Sequence, residues 1–242
     1  MKKHQNREAV IGVRSIAKYF RVGKNTVKAL RGVDLEIYPE DFIVIFGPSG
    51  CGKSTLLNLI LGIEKPTRGE IYIRSKNIFT MTEDDRAAFR LSKVGMVHQS
   101  PYWIKSLTVR ENIAIPLIIR SIGETIALER ADAIMEELNI GELGQQLPTQ
   151  LSGGQQQRAG LARALVTNPS IVIADEPTGN LDSVGAQEIM HILHDLNTIH
   201  HRTILLVTHN DKYWNFGNRR VEMVDGKITK DIKHQDGSKI SR

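Results

Sequence analysis

Four short apolar or strand-like runs, separated by glycine and polar residues, are the clearest pattern along the chain: 42–46, 94–97, 171–174 and 203–208. Short apolar runs without polar alternation are typical of strands that are buried on both faces of a parallel sheet. Between the second and third runs, residues 127–138 instead space their apolar positions as an amphipathic helix does. The pattern predicts an α/β fold with a helical insertion.

The first run leads into a glycine-rich loop, Gly47-Pro48-Ser49-Gly50-Cys51-Gly52-Lys53-Ser54, followed by a predicted helix over 53–62. Glycine permits positive φ and close backbone approach, so the N–H groups of such a loop can surround an anion. Lys53 supplies a charge for the β- and γ-phosphates of a nucleotide, and Ser54 supplies a hydroxyl for Mg²⁺. The loop therefore predicts a phosphate site at the N-terminus of a helix.

The third run ends in Asp175-Glu176-Pro177. Taken alone, an acidic pair after a strand is usually a solvated strand end. Coupled to the phosphate loop, the pair has a chemical role, because ligands of open α/β sheets bind at the carboxyl ends of the strands. Asp175 is expected to be a direct or water-mediated partner of Mg²⁺. Glu176 is expected either to act as general base or to orient and polarise the water that attacks the γ-phosphate.

Five separated motifs together resemble the nucleotide-binding subunit of an ABC transporter: the loop 47–54, Gln99, the signature Leu151-Ser152-Gly153-Gly154-Gln155, the run 171–176 and His209. The resemblance covers roughly residues 10–228. It implies a P-loop NTPase (RecA-like) core with a small antiparallel β-subdomain and an inserted α-helical signature subdomain. The implied division is 10–98 and 167–228 for the core, 99–166 for the helical subdomain and 229–242 for a basic tail.

The resemblance also implies an ATPase that uses ATP and Mg²⁺, with a role for each matching position. Gln99 senses the metal and the γ-phosphate, His209 is the switch that contacts the γ-phosphate, and Asp182 lies in a loop that crosses a dimer interface. The catalytic residues are then Glu176, His209, Lys53 and Gln99, and the metal ligands are Ser54, Gln99 and Asp175. The implied nucleotide contacts are Phe20, Gly47, Pro48, Ser49, Gly50, Cys51, Gly52, Lys53, Ser54, Thr55, Ser152, Gly153, Gly154, Gln155 and Asp182.

Two adjacent aromatic residues, Tyr19 and Phe20, are candidates to stack on adenine. Neighbouring residues of a strand point to opposite faces, so only one of them can serve. Their spacing to the segment 29–33 favours Phe20, although the family more often has tyrosine. The alternative is that both rings simply pack on the β-subdomain.

The signature has a physical logic of its own, since Ser152 can cap the following helix and leave glycine N–H groups facing an anion. In the family that anion is the γ-phosphate of ATP held by a second subunit. The resemblance thus implies a homodimer, with a heterodimer with another cassette as the alternative. It also implies a membrane-spanning permease subunit on a separate chain, gripped in part by residues 100–109, and a peripheral location at the cytoplasmic face of the inner or plasma membrane.

Composition narrows the choice of function. The chain of 242 residues is 40% hydrophobic, which suffices for a substantial core, and no segment approaches the roughly twenty apolar residues of a membrane span. We see no charged-then-apolar leader, so we expect a cytosolic protein. The single cysteine, Cys51, excludes an intramolecular disulfide. The net charge of +5 lies in the two ends, 1–8 and 227–242, which favours solvated tails over a specific nucleic-acid site. A weak attraction to anionic lipid headgroups is the next option.

The phrases at 30–33, 111–117 and 174–182 resemble the group of lipoprotein-release, macrolide-export and cell-division ATPases. Two positions depart from the family, namely Glu40 in place of glycine and His98 in place of phenylalanine. A soluble ABC ATPase working in DNA repair, translation or cluster assembly would share the catalytic residues. Its repair and translation members typically carry long coiled-coil insertions or two cassettes, and the sequence shows neither. A catalytically silent subunit is disfavoured because the catalytic residues are intact.

Overall fold

The computed structural model describes residues 8–233 of the chain. Within this range the strands are β1 Ile11–Val22, β2 Asn25–Ile37, β3 Phe42–Phe46, β4 Arg68–Ile73, β5 Lys76–Asn77, β6 Val94–His98, β7 Ile171–Asp175, β8 Thr203–Thr208, β9 Arg219–Val224 and β10 Lys227–Lys233. The α-helices are α1 Lys53–Ile60, α2 Glu83–Lys93, α3 Val109–Ile119, α4 Glu124–Glu137, α5 Gly153–Leu165 and α6 Ser183–Thr198. Short 3-10 helices occupy Ile78–Thr80, Gly141–Leu143, Pro148–Gln150 and Asp211–Phe216.

The described part of the chain divides into two compact units, one formed by residues 8–87 together with 196–233, and the other by residues 88–195. The first unit contains an antiparallel sheet in the order β2-β1-β4-β5. This sheet confirms the small antiparallel β-subdomain that the resemblance implies. The same unit contains β10, β9, β3 and β8, hydrogen-bonded in that order, with β3 parallel to both of its neighbours.

The strand β3 is the centre of the first unit's core. Its residues Phe42 to Ile45 are completely buried, as are Ile204 to Val207 of β8 beside it. Burial on both faces explains why these strands are continuous apolar runs rather than alternating ones. Helix α1 follows β3 after the glycine-rich loop and buries Leu56, Leu57 and Leu59. The predicted strands 42–46 and 203–208 are therefore confirmed, and the predicted helix ends two residues early.

The second unit combines a pair of parallel strands with three mutually packed helices. Strand β6 pairs with β7 in a register that sets His98 opposite Asp175. Helices α3, α4 and α5 pack on one another, and α4 buries Ala127, Ala131 and Met135 along one face. The helical pattern predicted between the second and third strand runs is confirmed.

The beginning of the segment that was expected to be a basic tail is instead the strand β10. A two-residue turn, Asp225-Gly226, reverses the chain, so that β10 pairs with β9 beginning at Lys227 and Val224. The backbone hydrogen bonds of this pairing, rather than the solvation of the basic side chains, decide the conformation of the segment. The basic residues Lys2, Lys3 and Arg7 and the segment 234–242 lie outside the described residues.

Glu40 lies in the turn before β3 and has a φ of 67°. Its backbone N–H donates to Thr203 Oγ1 at 3.0 Å, and its carbonyl accepts from Asn197 Nδ2 at 2.9 Å. These hydrogen bonds hold a left-handed conformation that costs a residue with a Cβ about 1–2 kcal/mol. A glycine, which the resemblance leads us to expect here, would adopt this conformation without that cost.

We expect the substitution Glu40→Gly to stabilise the protein. Relief of strain exceeds the backbone entropy that glycine loses on folding, about 0.4–1 kcal/mol, so the net gain is about 0.5–1 kcal/mol. Thermal unfolding should show a Tm higher by about 1–4 °C. Glu40→Ala is the matched control, because it removes the carboxylate but keeps Cβ and should show no such gain. A lower Tm for Glu40→Gly would contradict the claim that the backbone at Glu40 is strained.

Candidate functional site

The glycine-rich loop joins the end of β3 to the first turn of α1. Gly52 precedes the helix with a φ of 106°, and a Cβ at this position would lie 2.5 Å from the carbonyl oxygen of Ala29. Only glycine fits there, because both the conformation and the close backbone approach exclude a side chain. Within the described residues, no side chain caps the N-terminus of α1. Its first N–H groups are therefore available to an anion.

Lys53 is the cation of this loop and is only 7% exposed. Its Nζ donates to the carbonyl oxygens of Gly47 at 2.7 Å and Pro48 at 3.0 Å, and lies 3.9 Å from the Cys51 sulfur. In the described part of the chain, no carboxylate forms an ion pair with Lys53. A buried ammonium group with only neutral partners favours an anion, which would supply the compensating charge. Ser54 follows with an exposed side chain, and Thr55 is half-buried.

Phe20 and Tyr19 lie near the end of β1, and each has a lysine over its ring. Lys18 Nζ is 4.9 Å from the centroid of Phe20, and Lys28 Nζ is 5.8 Å from that of Tyr19. Lys18 is also fixed by an ion pair with Glu64 at 2.5 Å. One face of Phe20 is thus covered by a positioned ammonium group. Stacking of adenine on Phe20 stays a prediction, and the adenine would have to stack on the face of the ring opposite Lys18.

His209 follows β8 directly, in the same unit as the phosphate loop, and is exposed. The 3-10 helix Asp211–Phe216 comes next, and its Trp214 meets Phe46 edge-on with ring centroids 5.1 Å apart. Phe46 is the residue immediately before Gly47. The 3-10 helix that follows His209 is therefore packed against the end of β3, immediately before the phosphate loop.

The second unit gathers the other candidate catalytic residues at the carboxyl ends of β6 and β7. Because His98 and Asp175 are opposite each other in register, Gln99 and Glu176 follow neighbouring strand ends. A Cβ added to Gly179 would lie 2.7 Å from Gln99 Nε2, so the Gln99 side chain lies against this glycine. The structure thus brings Gln99 close to the loop that carries Asp175 and Glu176.

Glu176 has a φ of 49°, and its carbonyl accepts from the Gly179 N–H at 3.1 Å. A left-handed conformation costs a residue with a Cβ about 1–3 kcal/mol and persists only where the surroundings enforce it. Such strain is concentrated at functional sites. The backbone at Glu176 therefore agrees with a role that depends on how its carboxylate is aimed.

His98 lies beside Gln99, at a position where the resemblance leads us to expect phenylalanine. Its ring meets Tyr102 edge-on with centroids 5.2 Å apart, and its carbonyl accepts from Gln157 Nε2 at 2.9 Å. Burial lowers the pKa of His98, and the charge of Arg163 lowers it further, while Asp175 acts in the opposite direction. A neutral imidazole is favoured, so His98 packs as an aromatic ring does.

The signature residues form the N-terminus of α5, which begins at Gly153. The Gln155 N–H donates to Ser152 Oγ at 3.3 Å, and the Ser152 N–H donates to Gln155 Oε1 at 2.8 Å. This reciprocal capping box confirms the predicted cap and orders the helix end. The N–H groups of Gly153 and Gly154 are presented at a positive helix terminus.

The signature borders a cavity of about 540 Å³ that lies within the second unit. Asp182 lines the same cavity, and its Oδ1 accepts from the Gly185 N–H at 2.8 Å. Asp182 thus caps α6 in addition to the interface role that the resemblance implies. The cavity is lined by Asn139, Ile140, Glu142, Leu143, Ser152, Gly153, Gly154, Gln155, Arg158, Asn180, Leu181, Asp182, Val184, Gly185 and Glu188.

The segment 100–109 presents exposed apolar side chains on a braced backbone. Tyr102 is 77% exposed, while the Trp103 ring lies 4.5 Å from the Arg163 guanidinium carbon. Asn112 holds the segment through hydrogen bonds of its side chain with the backbone of Ile104 in both directions, each 3.0 Å long. Sequence reasoning missed this bracing, because an asparagine inside a segment expected to be helical gives no signal for it.

Comparison with known proteins agrees with these features. Residues 30–179 match the ABC transporter family. The chain is 40% identical over 220 residues to the macrolide export ATP-binding/permease protein MacB of Wolinella succinogenes. The aligned region covers 91% of this chain and 34% of that protein. It is also 40% identical over 228 residues to the uncharacterized ABC transporter ATP-binding protein MJ0796 of Methanocaldococcus jannaschii. Here the aligned region covers 93% of this chain and 97% of that protein. This chain therefore spans about a third of the length of its MacB relative.

A solved structure extends the agreement to the fold. The dimeric, post-hydrolysis ATP-binding cassette MJ0796 bound to ADP and Pi superposes with a TM-score of 0.87 at 35% identity, covering 94% of this chain and 100% of that one. The predicted P-loop NTPase fold is confirmed. Among the described residues, no helix is long and apolar enough to cross a membrane. The chain belongs to the ABC transporter family, in which it is an ATP-binding cassette ATPase.

Proposed function

We propose that this cassette binds two MgATP between two copies of the chain and hydrolyses them to change the conformation of a membrane-spanning permease on a separate chain. The macrolide-export and lipoprotein-release group is the proposed subfamily, supported by the similarity to MacB. The observation that carries the proposal is the buried Lys53, which has no carboxylate partner in the described residues and adjoins an uncapped helix N-terminus. The proposed location is the cytoplasmic face of the membrane.

The residues present fit a magnesium ion, because their donor atoms are the oxygens that this hard cation prefers. The Ser54 hydroxyl, the Gln99 side-chain oxygen and the Asp175 carboxylate would hold it, the last directly or through water. When bound, the ion neutralises charge on the β- and γ-phosphates. Few protein ligands are needed, since Mg²⁺ usually keeps several waters.

Hydrolysis in this proposal proceeds by attack of water on the γ-phosphorus. Lys53 and the loop N–H groups hold the phosphates in line, and Glu176 accepts the proton of the attacking water. The bond between the γ-phosphorus and the β–γ bridging oxygen breaks, and ADP leaves with phosphate. Gln99 and His209 report the presence of the γ-phosphate, and Phe20 stacks on the adenine.

The signature completes the site from the other subunit. Gly153 and Gly154 would donate to the γ-phosphate held by the partner's phosphate loop, and the cavity beside them leaves space for this ligand. The loop with Asp182 would cross the interface.

A functional division into core (10–98 and 167–228) and signature subdomain (99–166) is part of the proposal, because the signature must move with the permease while the core holds ATP. The braced surface 100–109, with Tyr102 and Ile104 exposed, would grip the permease.

A dilution series tests the shared site. Purified chain should hydrolyse ATP at a rate per subunit that rises with protein concentration and reaches a plateau, because only dimers are active. A rate per subunit that is constant down to nanomolar concentration in monomeric protein would overturn the proposal that two subunits share each site.

Purification of the tagged chain from solubilised native membranes with MgATP should recover a polytopic membrane protein. Recovery of soluble proteins alone would overturn the proposal that the chain works with a membrane-spanning permease.

Alkylation of Cys51 should block ATP binding. The thiol is 4% exposed and adjoins Lys53, so the reaction with N-ethylmaleimide should be slow, and its product should displace the phosphate loop. Intact mass gives the extent of modification, and ATPase activity should fall in proportion to it. Bound MgATP should slow the reaction. Full activity in completely alkylated protein would contradict this prediction.

A further inference from the structure

The turn between β9 and β10 is joined to the phosphate loop by backbone contacts. The two residues of the turn, Asp225 and Gly226, have φ values of 46° and 75°. Such a two-residue turn, with both residues left-handed, matches the twist of the hairpin and fixes its tip in one position. An Asp-Gly pair is a local signal for this hairpin, but nothing local indicates what the tip touches.

Gly226 uses both of its backbone hydrogen-bonding groups at this contact. Its N–H donates to the carbonyl oxygen of Cys51 at 3.0 Å, inside the phosphate loop. Its carbonyl oxygen accepts from the Arg31 N–H at 2.8 Å, on β2. Gly226 therefore connects the loop that is proposed to hold ATP with a strand of the antiparallel sheet.

A second backbone contact reinforces the first. A Cβ added to Gly47 would lie 2.2 Å from the carbonyl oxygen of Met223 on β9. The start of the phosphate loop thus lies directly against β9, and its middle is hydrogen-bonded to the following turn. Both contacts involve backbone, which cannot adapt as a flexible side chain can.

Gly226 has no room for a side chain. A Cβ at this position would lie 2.6 Å from the carbonyl oxygen of Ala29 and 3.1 Å from the Leu30 Cα. Because these are backbone atoms of β2, the turn rather than β2 would give way. The hydrogen bond to Cys51 would then lengthen or break, and the phosphate loop would lose its outer support.

We infer that Gly226 is a positioning residue for ATP binding, which holds the phosphate loop in its anion-binding conformation through the Cys51 carbonyl. The inference rests on the proposed role of that loop in binding MgATP. Displacement of a binding group by about 1 Å is enough to lose a large part of an interaction. Substitution of Gly226 should therefore weaken ATP binding although no side chain of this residue touches the nucleotide.

The test compares three variants by titration with a fluorescent ATP analogue and Mg²⁺. Gly226→Ala adds both the steric contact and left-handed strain, whereas Gly226→Asn keeps the contact but tolerates the left-handed conformation. Gly23→Ala is the matched control, since Gly23 has a φ of 60° in a hairpin turn and no atom within 4 Å of its Cβ position. Both Gly226 variants should bind at least about tenfold more weakly, whereas Gly23→Ala should retain wild-type affinity despite a comparable loss of Tm.

Wild-type affinity in Gly226→Ala, or its recovery in Gly226→Asn, would overturn the inference. Should the Gly226 variants fail to fold, hydrogen exchange in the wild-type protein decides. MgATP should slow exchange of the Gly226 amide about tenfold and leave that of Gly23 unchanged, because the loop and the turn are ordered together. Equal exchange of Gly226 with and without MgATP would overturn it. Failure of the wild-type chain to bind MgATP would instead overturn the proposed function, and the inference with it.

Discussion

Replacement of Glu176 by glutamine is expected to lower ATP turnover at least about a hundredfold while MgATP binding is retained. Glutamine keeps the size and the hydrogen-bonding reach of the side chain but cannot accept a proton from water. The left-handed backbone at Glu176 is a property of its loop, so the substituted side chain should be aimed as the carboxylate is. The loss should therefore appear in kcat and leave the affinity for ATP unchanged.

The same variant should accumulate as an ATP-bound dimer, because hydrolysis is the step that separates the subunits in the proposed cycle. Light scattering with and without MgATP measures the dimer, and phosphate release measures turnover. Glu129→Gln, an exposed carboxylate on α4, controls for the loss of one negative charge. Turnover near that of the wild type would remove Glu176 from its role, and a monomer with bound MgATP would contradict the shared site.

The elements that hold the site follow from local patterns in the sequence. The buried strands β3, β7 and β8 are continuous apolar runs, and a strand of this kind can be recognised without knowledge of its neighbours. The cap of α5 was predictable for a similar reason, since Ser152 and Gln155 are only three residues apart. Motif spacing therefore carries most of the information on where the chemistry lies.

Other features depend on residues that are distant in sequence, and these were not predictable. The carbonyl of Ala29 excludes a side chain from Gly226 across almost two hundred residues, and the lysine over the ring of Phe20 is tied to Glu64. The strand β10 was mistaken for part of a tail because its basic residues suggested solvation, whereas pairing with β9 decides its structure.

Replacement of Lys53 by alanine should weaken MgATP binding by about ten- to a hundredfold. Charge-assisted hydrogen bonds are worth about 1.5–3 kcal/mol, and this ammonium is desolvated, so its attraction for phosphate is poorly screened. Isothermal titration calorimetry with a non-hydrolysable ATP analogue and Mg²⁺ measures the loss. Lys76→Ala, an exposed lysine on β5, is the matched control and should bind as the wild type does.

A second variant separates the charge of Lys53 from its packing. Lys53→Met keeps most of the buried stem and removes the ammonium, which donates to the carbonyls of Gly47 and Pro48. Because an ammonium buried without a carboxylate partner costs stability, Lys53→Met should unfold at a Tm no lower than that of the wild type while binding ATP as weakly as Lys53→Ala. A residue that reduces stability and yet is required for binding has its function in the ligand complex. Retained affinity in Lys53→Met would show instead that the loop N–H groups and the helix terminus hold the phosphates without this charge.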